Sequence, residues 1–225
     1  MKKQRICMLL VLLLALSCAA CGVNGAPQAS PAPSAAPAAT PTAAPEAAPG
    51  TEAAPETESG SELHHVEISI RDYGTVKLEL DAAAAPVTVQ NFLDLAGRGF
   101  YDGLTFHRIM DGFMIQGGDP EGRGTGGSGT NIQGEFAANG WDNPISHKKG
   151  VISMARARSY DSASSQFFIC VGDAEFLDGQ YAAFGRVTEG MEIVEQIARD
   201  ARPIDNNGTI PAEQQPVIES IKVID

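Results

Sequence analysis

The chain has 225 residues, and 28 acidic against 16 basic residues give it a formal net charge of −12. This surplus of negative charge disfavours a nucleic acid as the partner, and likewise direct binding to an anionic membrane surface, because both ligands are polyanions. The length beyond the first sixty residues suits one domain with a sizeable hydrophobic core.

The first twenty residues have the pattern of a secretion signal. Three basic residues within the first five precede an apolar run from Ile6 to Leu16, and the small residues Ala19 and Ala20 follow. The run is too short, and wrongly flanked, for a stable membrane span. We therefore predict that residues 1–20 are a cleaved signal and that the protein is exported.

Cys21 follows the signal directly. The surrounding sequence, Ser17-Cys18-Ala19-Ala20-Cys21-Gly22, resembles a bacterial lipoprotein processing site, in which the signal is cut before a cysteine that then carries lipid. Cys18 stands where a branched aliphatic residue is usual, and it is a second candidate for the modified residue. The resemblance implies a lipid on Cys21 that anchors the protein to the outer face of the bacterial cytoplasmic membrane. The alternative is a plain cleaved signal.

Residues 22–61 consist almost wholly of Ala, Pro, Thr, Ser, Gly and Glu, without an aromatic residue. Such a segment cannot bury enough apolar surface to offset the entropy lost on ordering, and its prolines favour extended conformations. We predict that residues 21–61 comprise the lipidation site and a disordered, semi-stiff linker, which holds a domain at residues 62–225 away from the membrane. A proline-rich ligand for a partner domain is the alternative.

The domain opens with a predicted strand pair and a helix. Alternating apolar residues over 63–70 and 76–80 predict two antiparallel strands, joined by a turn at Tyr73-Gly74. Pro86 opens a helix at a position that tolerates proline, and Gly97 or Gly99 ends it. Its apolar stripe is predicted to contain Val87, Val89, Phe92, Leu93 and Ala96.

Residues 105–119 predict a hairpin, because apolar runs flank an Asp111-Gly112 pair. Arg108 lies in an otherwise apolar strand, which is costly unless its charge is paired or meets water or a ligand. A salt bridge and a binding site are both open at this point. Alternation places Met114 and Gln116 on one face of their strand, and a cation, an amide and an apolar wall suit a site for a short peptide.

The remaining chain predicts a long irregular segment at 119–143, a second helix and four more strands. Irregular segments of this length inside a domain are usually functional. The strands are expected at 150–154, 166–171, 182–187 and 216–224, and the helix at 190–199, with Met191, Ile193, Val194 and Ile197 facing inwards. Short strands joined mostly by turns favour an antiparallel barrel or sandwich.

Several short motifs are weak. Gly122, Gly124 and Gly127 have the spacing of a dinucleotide-binding loop, but no helix start follows them. Gly127-Ser128-Gly129 is similar to a serine-hydrolase elbow, but Thr130 stands where the last glycine of that motif should be. The histidines at 64, 65, 107 and 147 lack metal-ligand spacing, so neither a metal nor a cofactor is expected. His64 and His65 are expected to flank the first strand in solvent. Cys170 lies in an apolar run and is expected to be a small buried residue.

Eight motifs in the order of the chain resemble those of the cyclophilin family of peptidyl-prolyl isomerases, and the resemblance covers essentially all of residues 63–225. They are Phe106-His107-Arg108-Ile109, Gly112-Phe113-Met114-Ile115-Gln116-Gly117-Gly118-Asp119, Gly124-Thr125-Gly126-Gly127, Gly134-Glu135-Phe136, Ser153-Met154-Ala155, Ser165-Gln166-Phe167-Phe168-Ile169, Phe176-Leu177-Asp178-Gly179 and Phe184-Gly185-Arg186-Val187. The resemblance implies a mainly β fold, an eight-stranded antiparallel cyclophilin-like barrel capped by two α-helices. It also implies isomerisation of X–Pro bonds.

The same resemblance implies roles for individual residues. Arg108 would be the catalytic arginine. An apolar proline pocket would be lined by Phe113, Met114, Phe168 and Leu177. The peptide would be held by Gln116, Gln166 and the backbone of Ala155 and Arg156, with His107 at the edge of the site. The partners would be proline-containing peptides and unfolded or folding exported proteins, and the protein itself would be a monomer.

Two rim positions depart from the eukaryotic pattern of the family. Phe176 stands where those members have a tryptophan, and Tyr181 where they have a histidine. Phenylalanine lacks the indole N–H donor, so we expect weak binding of cyclosporin. Two other functions remain open: a chaperone module that holds unfolded chains in the same groove, and a lipocalin-like barrel for a small apolar ligand.

Overall fold

The structure, a computed structural model, describes residues 62–225. The predictions for the signal, for Cys18 and Cys21 and for the linker lie outside the described residues. None of the helices within residues 62–225 has both the length and the apolar character needed to cross a membrane.

Eight strands and two α-helices make up most of the described chain. The strands are β1 (Leu63–Ile70), β2 (Gly74–Asp81), β3 (Thr105–Met110), β4 (Met114–Asp119), β5 (Val151–Met154), β6 (Phe167–Cys170), β7 (Ala183–Glu189) and β8 (Ile218–Val223). The helices are α1 (Pro86–Gly97) and α2 (Met191–Asp200). Each predicted strand and helix is confirmed within about two residues, the range over which such boundaries ordinarily differ.

The strands form one antiparallel sheet in the order β3-β4-β6-β5-β7-β2-β1-β8. Its two outer strands meet, because Thr105 pairs with Val217 and the backbone N–H of Phe106 donates to the carbonyl of Pro216. Closing a sheet on itself removes exposed edges. The mainly β prediction, an antiparallel barrel with two helices, is confirmed.

The core is built from alternating strand residues and a central group of aromatic rings. The inward residues of β1 and β2 are fully or almost fully buried: Val66, Ile68, Ile70, Val76, Leu78 and Leu80. Phe92 of α1 packs against Tyr101, Phe167 and Phe184, with ring centroids 5.1 to 5.5 Å apart. This cluster fixes α1 over one end of the barrel.

The apolar stripe of α1 differs from its prediction at one position. Val87 is 41% exposed, so its predicted place on the buried face is wrong. Thr88 and Leu95 are buried instead, and they share a face with Phe92 at spacings of four and three residues. The prediction used apolar character alone, and it therefore placed the wrong residue of the first helical turn on the buried face.

A distant carboxylate caps the start of α1. Ala85 at the N-cap has no side chain that could accept a hydrogen bond. The buried carboxylate of Glu135 accepts from the backbone N–H of Val87 at 2.9 Å and of Thr88 at 2.8 Å. These N–H groups have no partner within a helix, so Glu135 ties the loop after β4 to α1.

α2 begins after Gly190, which adopts a left-handed conformation (φ +86°) that glycine takes without strain. The predicted inward residues are confirmed in position. Val194 and Ile197 are buried, and Met191 and Ile193 are partly buried against the same core.

Two predictions about single residues have different outcomes. His64 and His65 lie inside β1 rather than beside it, and their rings contact the carboxylate of Asp225. Cys170 is a free and fully buried thiol, as predicted, and burial raises its pKa to about 12.

Candidate active site

The hairpin of β3 and β4 places a cation, an amide and two thioethers on one face of the sheet. Gly112 (φ +74°) makes the turn, in a conformation that disfavours residues with a Cβ atom. The register pairs Arg108 with Gln116 and Met110 with Met114. Cross-strand partners share a face, so all four side chains belong to one patch.

Arg108 is held by neutral oxygens. Its Nε donates to the backbone carbonyl of Asn207 at 2.7 Å, and its Nη1 donates to Oε1 of Gln116 at 3.1 Å. Among residues 62–225 no carboxylate lies within salt-bridge distance of it. The salt-bridge alternative is therefore wrong for this part of the chain.

Burial lowers the pKa of the Arg108 guanidinium, and the nearby Tyr181 and Asp205 act in the opposite direction. An arginine remains protonated through such a change, because its reference pKa lies far above neutral pH. The site therefore contains a fixed positive charge whose direct contacts are uncharged acceptors.

A chain of side-chain amides continues from the guanidinium. Nε2 of Gln116 donates to Oε1 of Gln166 at 3.0 Å, and Nε2 of Gln166 donates to the carbonyl of Gly126 at 2.8 Å. Each amide thus has its orientation fixed by a neighbour on either side. The chain links β4, β6 and the loop that follows β4.

A cavity of about 450 Å³ opens beside this polar chain. Phe113, Met114, Phe168 and Leu177 form its apolar part, and Met114 and Phe168 also belong to a small buried cluster with Cys170. The cavity brings together ten of the predicted site residues: His107, Arg108, Phe113, Met114, Gln116, Ala155, Arg156, Phe168, Leu177 and Tyr181.

Two predicted residues lie beside this cavity rather than in its lining. Gln166 contacts residues of its lining, since its side chain accepts from Gln116 and its carbonyl accepts from the N–H of Ala155, and it lines an adjacent cavity of about 500 Å³. Phe176 is 72% exposed, and its ring packs on that of Phe113 with centroids 5.5 Å apart. Phe176 therefore extends the apolar wall outwards into solvent.

His107 lines the cavity beside Arg108, although strict alternation along β3 would turn the two side chains apart. The pairing register shifts between Phe106 and Arg108 and leaves His107 as an extra residue in the strand. Its side chain is buried, and neither ring nitrogen has a hydrogen-bond partner in the described structure. Burial lowers its pKa and Arg108 contributes in the same direction, while Asp119 opposes them. The unprotonated nitrogen of a neutral ring is an acceptor, so His107 keeps an unsatisfied buried acceptor beside the cavity.

Tyr181 and Arg156 also line the cavity. The Tyr181 ring meets Phe168 edge to face, at 6.0 Å between centroids. The guanidinium of Arg156 lies 4.7 Å from the centre of the Tyr181 ring and 5.1 Å from those of Phe136 and Tyr160. Such cation–π contacts hold a charged side chain in place without a carboxylate.

Behind Phe168 lies a Ser-His-Asp arrangement that sequence reasoning did not detect. The buried ring of His147 contacts Asp178 at 2.8 Å through Nδ1 and Ser153 at 3.0 Å through Nε2. Ser153 is fully buried, so it cannot reach a substrate. The ring stacks on Phe168 at an interplanar angle of 16°, and the group supports the pocket wall.

The loop after β4 is shaped by the buried carboxylate of Asp119. It accepts hydrogen bonds from the backbone N–H groups of Glu121, Arg123, Gly124 and Thr125. Burial raises the pKa of this carboxyl, but the backbone donors outweigh it and hold the pKa below its usual range. The loop is thereby fixed where it lines both cavities.

Four lining residues were missed from the sequence: Arg123, Gly124, Asn207 and Thr209. Asn207 is 99 residues from Arg108, and only its backbone carbonyl makes the contact. The run Asp205-Asn206-Asn207-Gly208 is a turn signal, but a turn signal does not reveal what the turn approaches. Asp205 accepts from the backbone N–H groups of Asn207 and Thr209 and so fixes this turn.

Within residues 62–225 no group of three or more His, Cys, Asp or Glu side chains is arranged to hold a metal ion.

Comparison with known proteins agrees with the geometry. The family model described as "Cyclophilin type peptidyl-prolyl cis-trans isomerase/CLD" matches residues 65–223. A peptidyl-prolyl cis-trans isomerase of Helicobacter pylori is 48% identical over 126 residues, which are 55% of this chain and 74% of that protein. Peptidyl-prolyl cis-trans isomerase B of Bacillus subtilis is 45% identical over 129 residues, 57% of this chain and 87% of the other.

A similar fold has been solved by crystallography. The crystal structure of a Cryptosporidium parvum cyclophilin type peptidyl-prolyl cis-trans isomerase matches with a TM-score of 0.64 and 30% sequence identity, covering 72% of this chain and 98% of that chain. A second crystal structure of that protein, in the presence of the dipeptide Ala-Pro, has a TM-score of 0.63. Family model, relatives and fold lead to one conclusion: this chain belongs to the cyclophilin-type peptidyl-prolyl cis-trans isomerases.

Proposed function

We propose that the chain accelerates X–Pro bond rotation in exported proteins by stabilising the twisted amide without a covalent step, through Arg108 and the apolar pocket. The observation that carries this proposal is a guanidinium without a carboxylate partner in residues 62–225, oriented at the wall of a cavity lined by Phe113, Met114 and Phe168. The crystal structure of the relative in the presence of Ala-Pro supports a proline-containing peptide as the ligand.

The reaction suits an arginine donor. Rotation about the amide has a barrier of about 18–20 kcal/mol because twisting breaks resonance, and uncatalysed exchange takes tens to hundreds of seconds. In the twisted state the prolyl nitrogen regains its lone pair and becomes a hydrogen-bond acceptor. A donor that acts on this nitrogen binds the transition state better than the ground state, and this difference accelerates the reaction.

The residues around Arg108 hold its guanidinium in a fixed orientation. Asn207 and Gln116 fix Nε and Nη1 of Arg108, and a guanidinium has five N–H donors, so others stay available to the substrate. The apolar wall holds the proline ring and excludes water that stabilises the planar, charge-separated amide. Gln116, Gln166 and the backbone near Ala155 and Arg156 are the proposed contacts of the flanking peptide.

The test is a protease-coupled proline-peptide assay of Arg108→Ala. Removing the donor should lower kcat/KM on the order of a hundredfold, the usual cost of losing one preorganised transition-state donor. Arg71→Ala is the matched control, because Arg71 is an exposed arginine that contacts Glu219 at the surface. Near-normal turnover in Arg108→Ala, with an unchanged unfolding midpoint in urea, would exclude this mechanism.

A second candidate function is the holding of unfolded chains. Phe176 is 72% exposed beside the pocket and Ile204 is 70% exposed on the loop that carries Asn207, so the chain presents apolar side chains near the site. Suppression of client aggregation that survives in Arg108→Ala would assign holding to this surface independently of isomerisation. Suppression that disappears with turnover would count against it.

The location is proposed from the sequence alone. A monomeric enzyme anchored through lipid on Cys21, on the outer face of the bacterial cytoplasmic membrane, would meet proteins as they emerge from export. Mass analysis of the mature N-terminus tests this directly, because a diacylglyceryl-modified Cys21 supports the anchor and an unmodified N-terminus contradicts it.

A further inference from the structure

Two thioethers contact the guanidinium of Arg108. Nη2 lies 3.4 Å from Sδ of Met110, and Nη1 lies 3.9 Å from Sδ of Met114. The two methionines are cross-strand partners at the end of the β3–β4 hairpin. A thioether sulfur is a weak acceptor, so in this state it competes little for the N–H groups of the guanidinium.

The methionines differ in their access to solvent. Residues 62–225 contain four methionines, at positions 110, 114, 154 and 191. Met114 and Met154 are 1% exposed, whereas Met110 and Met191 are partly exposed. Met191 lies on α2, where it packs against the main core rather than at the cavity. Met110 is therefore the partly exposed methionine in contact with Arg108.

We propose that Met110 is a reversible oxidation site that controls isomerisation through Arg108, an inference that rests on the proposed function of this arginine. Hydrogen peroxide, or an organic peroxide, would transfer one oxygen atom to the sulfur. The peroxide O–O bond breaks as the S=O bond forms, the sulfur is oxidised by two electrons to the sulfoxide, and the peroxide is reduced to water or an alcohol.

The oxidised side chain of Met110 would accept a hydrogen bond from the guanidinium of Arg108. A sulfoxide oxygen is a far stronger acceptor than a thioether sulfur, and it would lie beside Nη2 of Arg108. A hydrogen bond from a charged donor is strong enough to cost the reaction about tenfold in kcat/KM when that donor is withdrawn from the prolyl nitrogen. Methionine sulfoxide reductases reverse the modification, so the loss should be recoverable.

The thiol in the described chain is not an equivalent target. Cys170 is fully buried, and burial raises its pKa to about 12, so the reactive thiolate is scarce at neutral pH. Peroxide that acts on this domain should therefore modify Met110 and Met191 before Cys170.

The experiment treats the full chain with dilute hydrogen peroxide and follows kcat/KM in parallel with peptide mass spectrometry. Activity should fall about tenfold with the sulfoxide at position 110, and reductase treatment should restore it. Met110→Leu and Met191→Leu are the matched variants. Each is judged by its own ratio of treated to untreated activity. Met110→Leu should resist peroxide, and Met191→Leu should lose activity as the unmodified sequence does.

Three results would overturn the proposal: sulfoxide at position 110 with an unchanged rate, equal loss of activity in Met110→Leu, or failure of Met110 to react while Met191 does. Arg108→Ala in the same series separates this proposal from the preceding one. Near-normal untreated activity in that variant rejects the role of Arg108 itself. If Arg108→Ala is nearly inactive but peroxide leaves the turnover of the unaltered sequence unchanged, only the role of Met110 is rejected.

Discussion

Arg108 carries a partly buried positive charge whose direct contacts are neutral. A carboxylate partner would have neutralised the partly buried guanidinium, and it would also have occupied its donors. The carbonyl of Asn207 and the amide of Gln116 satisfy part of the guanidinium without neutralising it. The proposed mechanism requires this un-neutralised charge, because it assigns the guanidinium to the prolyl nitrogen of the substrate.

At the rim, the exposed ring of Phe176 leads to a prediction about inhibitor binding. Phe176→Trp should strengthen cyclosporin binding by about fivefold, since it adds an indole N–H donor worth about 1 kcal/mol. Isothermal titration calorimetry of both proteins measures the difference. A nanomolar dissociation constant for the unaltered chain would contradict the premise that Phe176 weakens binding.

The sequence could identify this site only in part. The cost of a charge in an apolar strand singled out Arg108, and alternation placed Met114 and Gln116 correctly on one face. Neither argument could distinguish a salt bridge from a binding site, because the decisive contact is a backbone carbonyl in a distant loop. Backbone acceptors have no side-chain signature.

At the scale of elements, α1 depends on a residue far along the chain. Its first N–H groups are satisfied by Glu135, and Trp141 from the same segment donates to the carbonyl of Ala84 at 2.9 Å. Pro86 was sufficient to predict where the helix begins. The cap could not be predicted, because Glu135 lies 47 residues beyond Thr88.

Glu135→Ala should lower the free energy of unfolding by about 1–3 kcal/mol, because it leaves the N–H groups of Val87 and of the buried Thr88 without an acceptor. Urea denaturation monitored by circular dichroism measures the change. Glu213→Ala is the control, since Glu213 is an exposed glutamate. Glu135→Gln keeps one acceptor oxygen and should lose less stability than Glu135→Ala. Equal free energies of unfolding for the unaltered chain and the three variants would refute the capping role.

For the whole domain, two buried histidines link stability to pH. Burial is the largest cause of the lowered pKa of His107 and of His147, and it outweighs the opposing effects of Asp119 and Asp178 respectively. The folded domain therefore keeps both rings neutral. The unfolded chain protonates them below about pH 6.5, so their contribution is complete above that pH and is lost as the pH falls towards the folded pKa values.

We expect the free energy of unfolding to decrease between about pH 6.5 and pH 5, by up to about 1.4 kcal/mol per pH unit for each histidine. Urea midpoints across this range measure it, and His107→Gln should reduce the slope. A free energy of unfolding that stays constant between about pH 6.5 and pH 5 would contradict the prediction.

The isomerase rate of the folded protein should change little between about pH 6 and pH 8, because arginine stays charged throughout.

The fold as a whole was more predictable than its connections. Alternation and turn residues gave eight strands and two helices, because those signals are local. The neighbours of each strand are not local, and β6 lies between β4 and β5 although it follows both in sequence. Periodicity alone allowed either a barrel or a sandwich, and the resemblance to a known family indicated the barrel.

The pairing of the first and last strands has a mechanical consequence. β1 and β8 are antiparallel neighbours, and their register runs from Val66 opposite Val223 to Ile70 opposite Ile218. The starting end of β1 and the finishing end of β8 therefore lie at the same end of the ladder. A force that draws Leu63 and Asp225 apart loads one pair at a time, so the ladder unzips and does not shear as a unit.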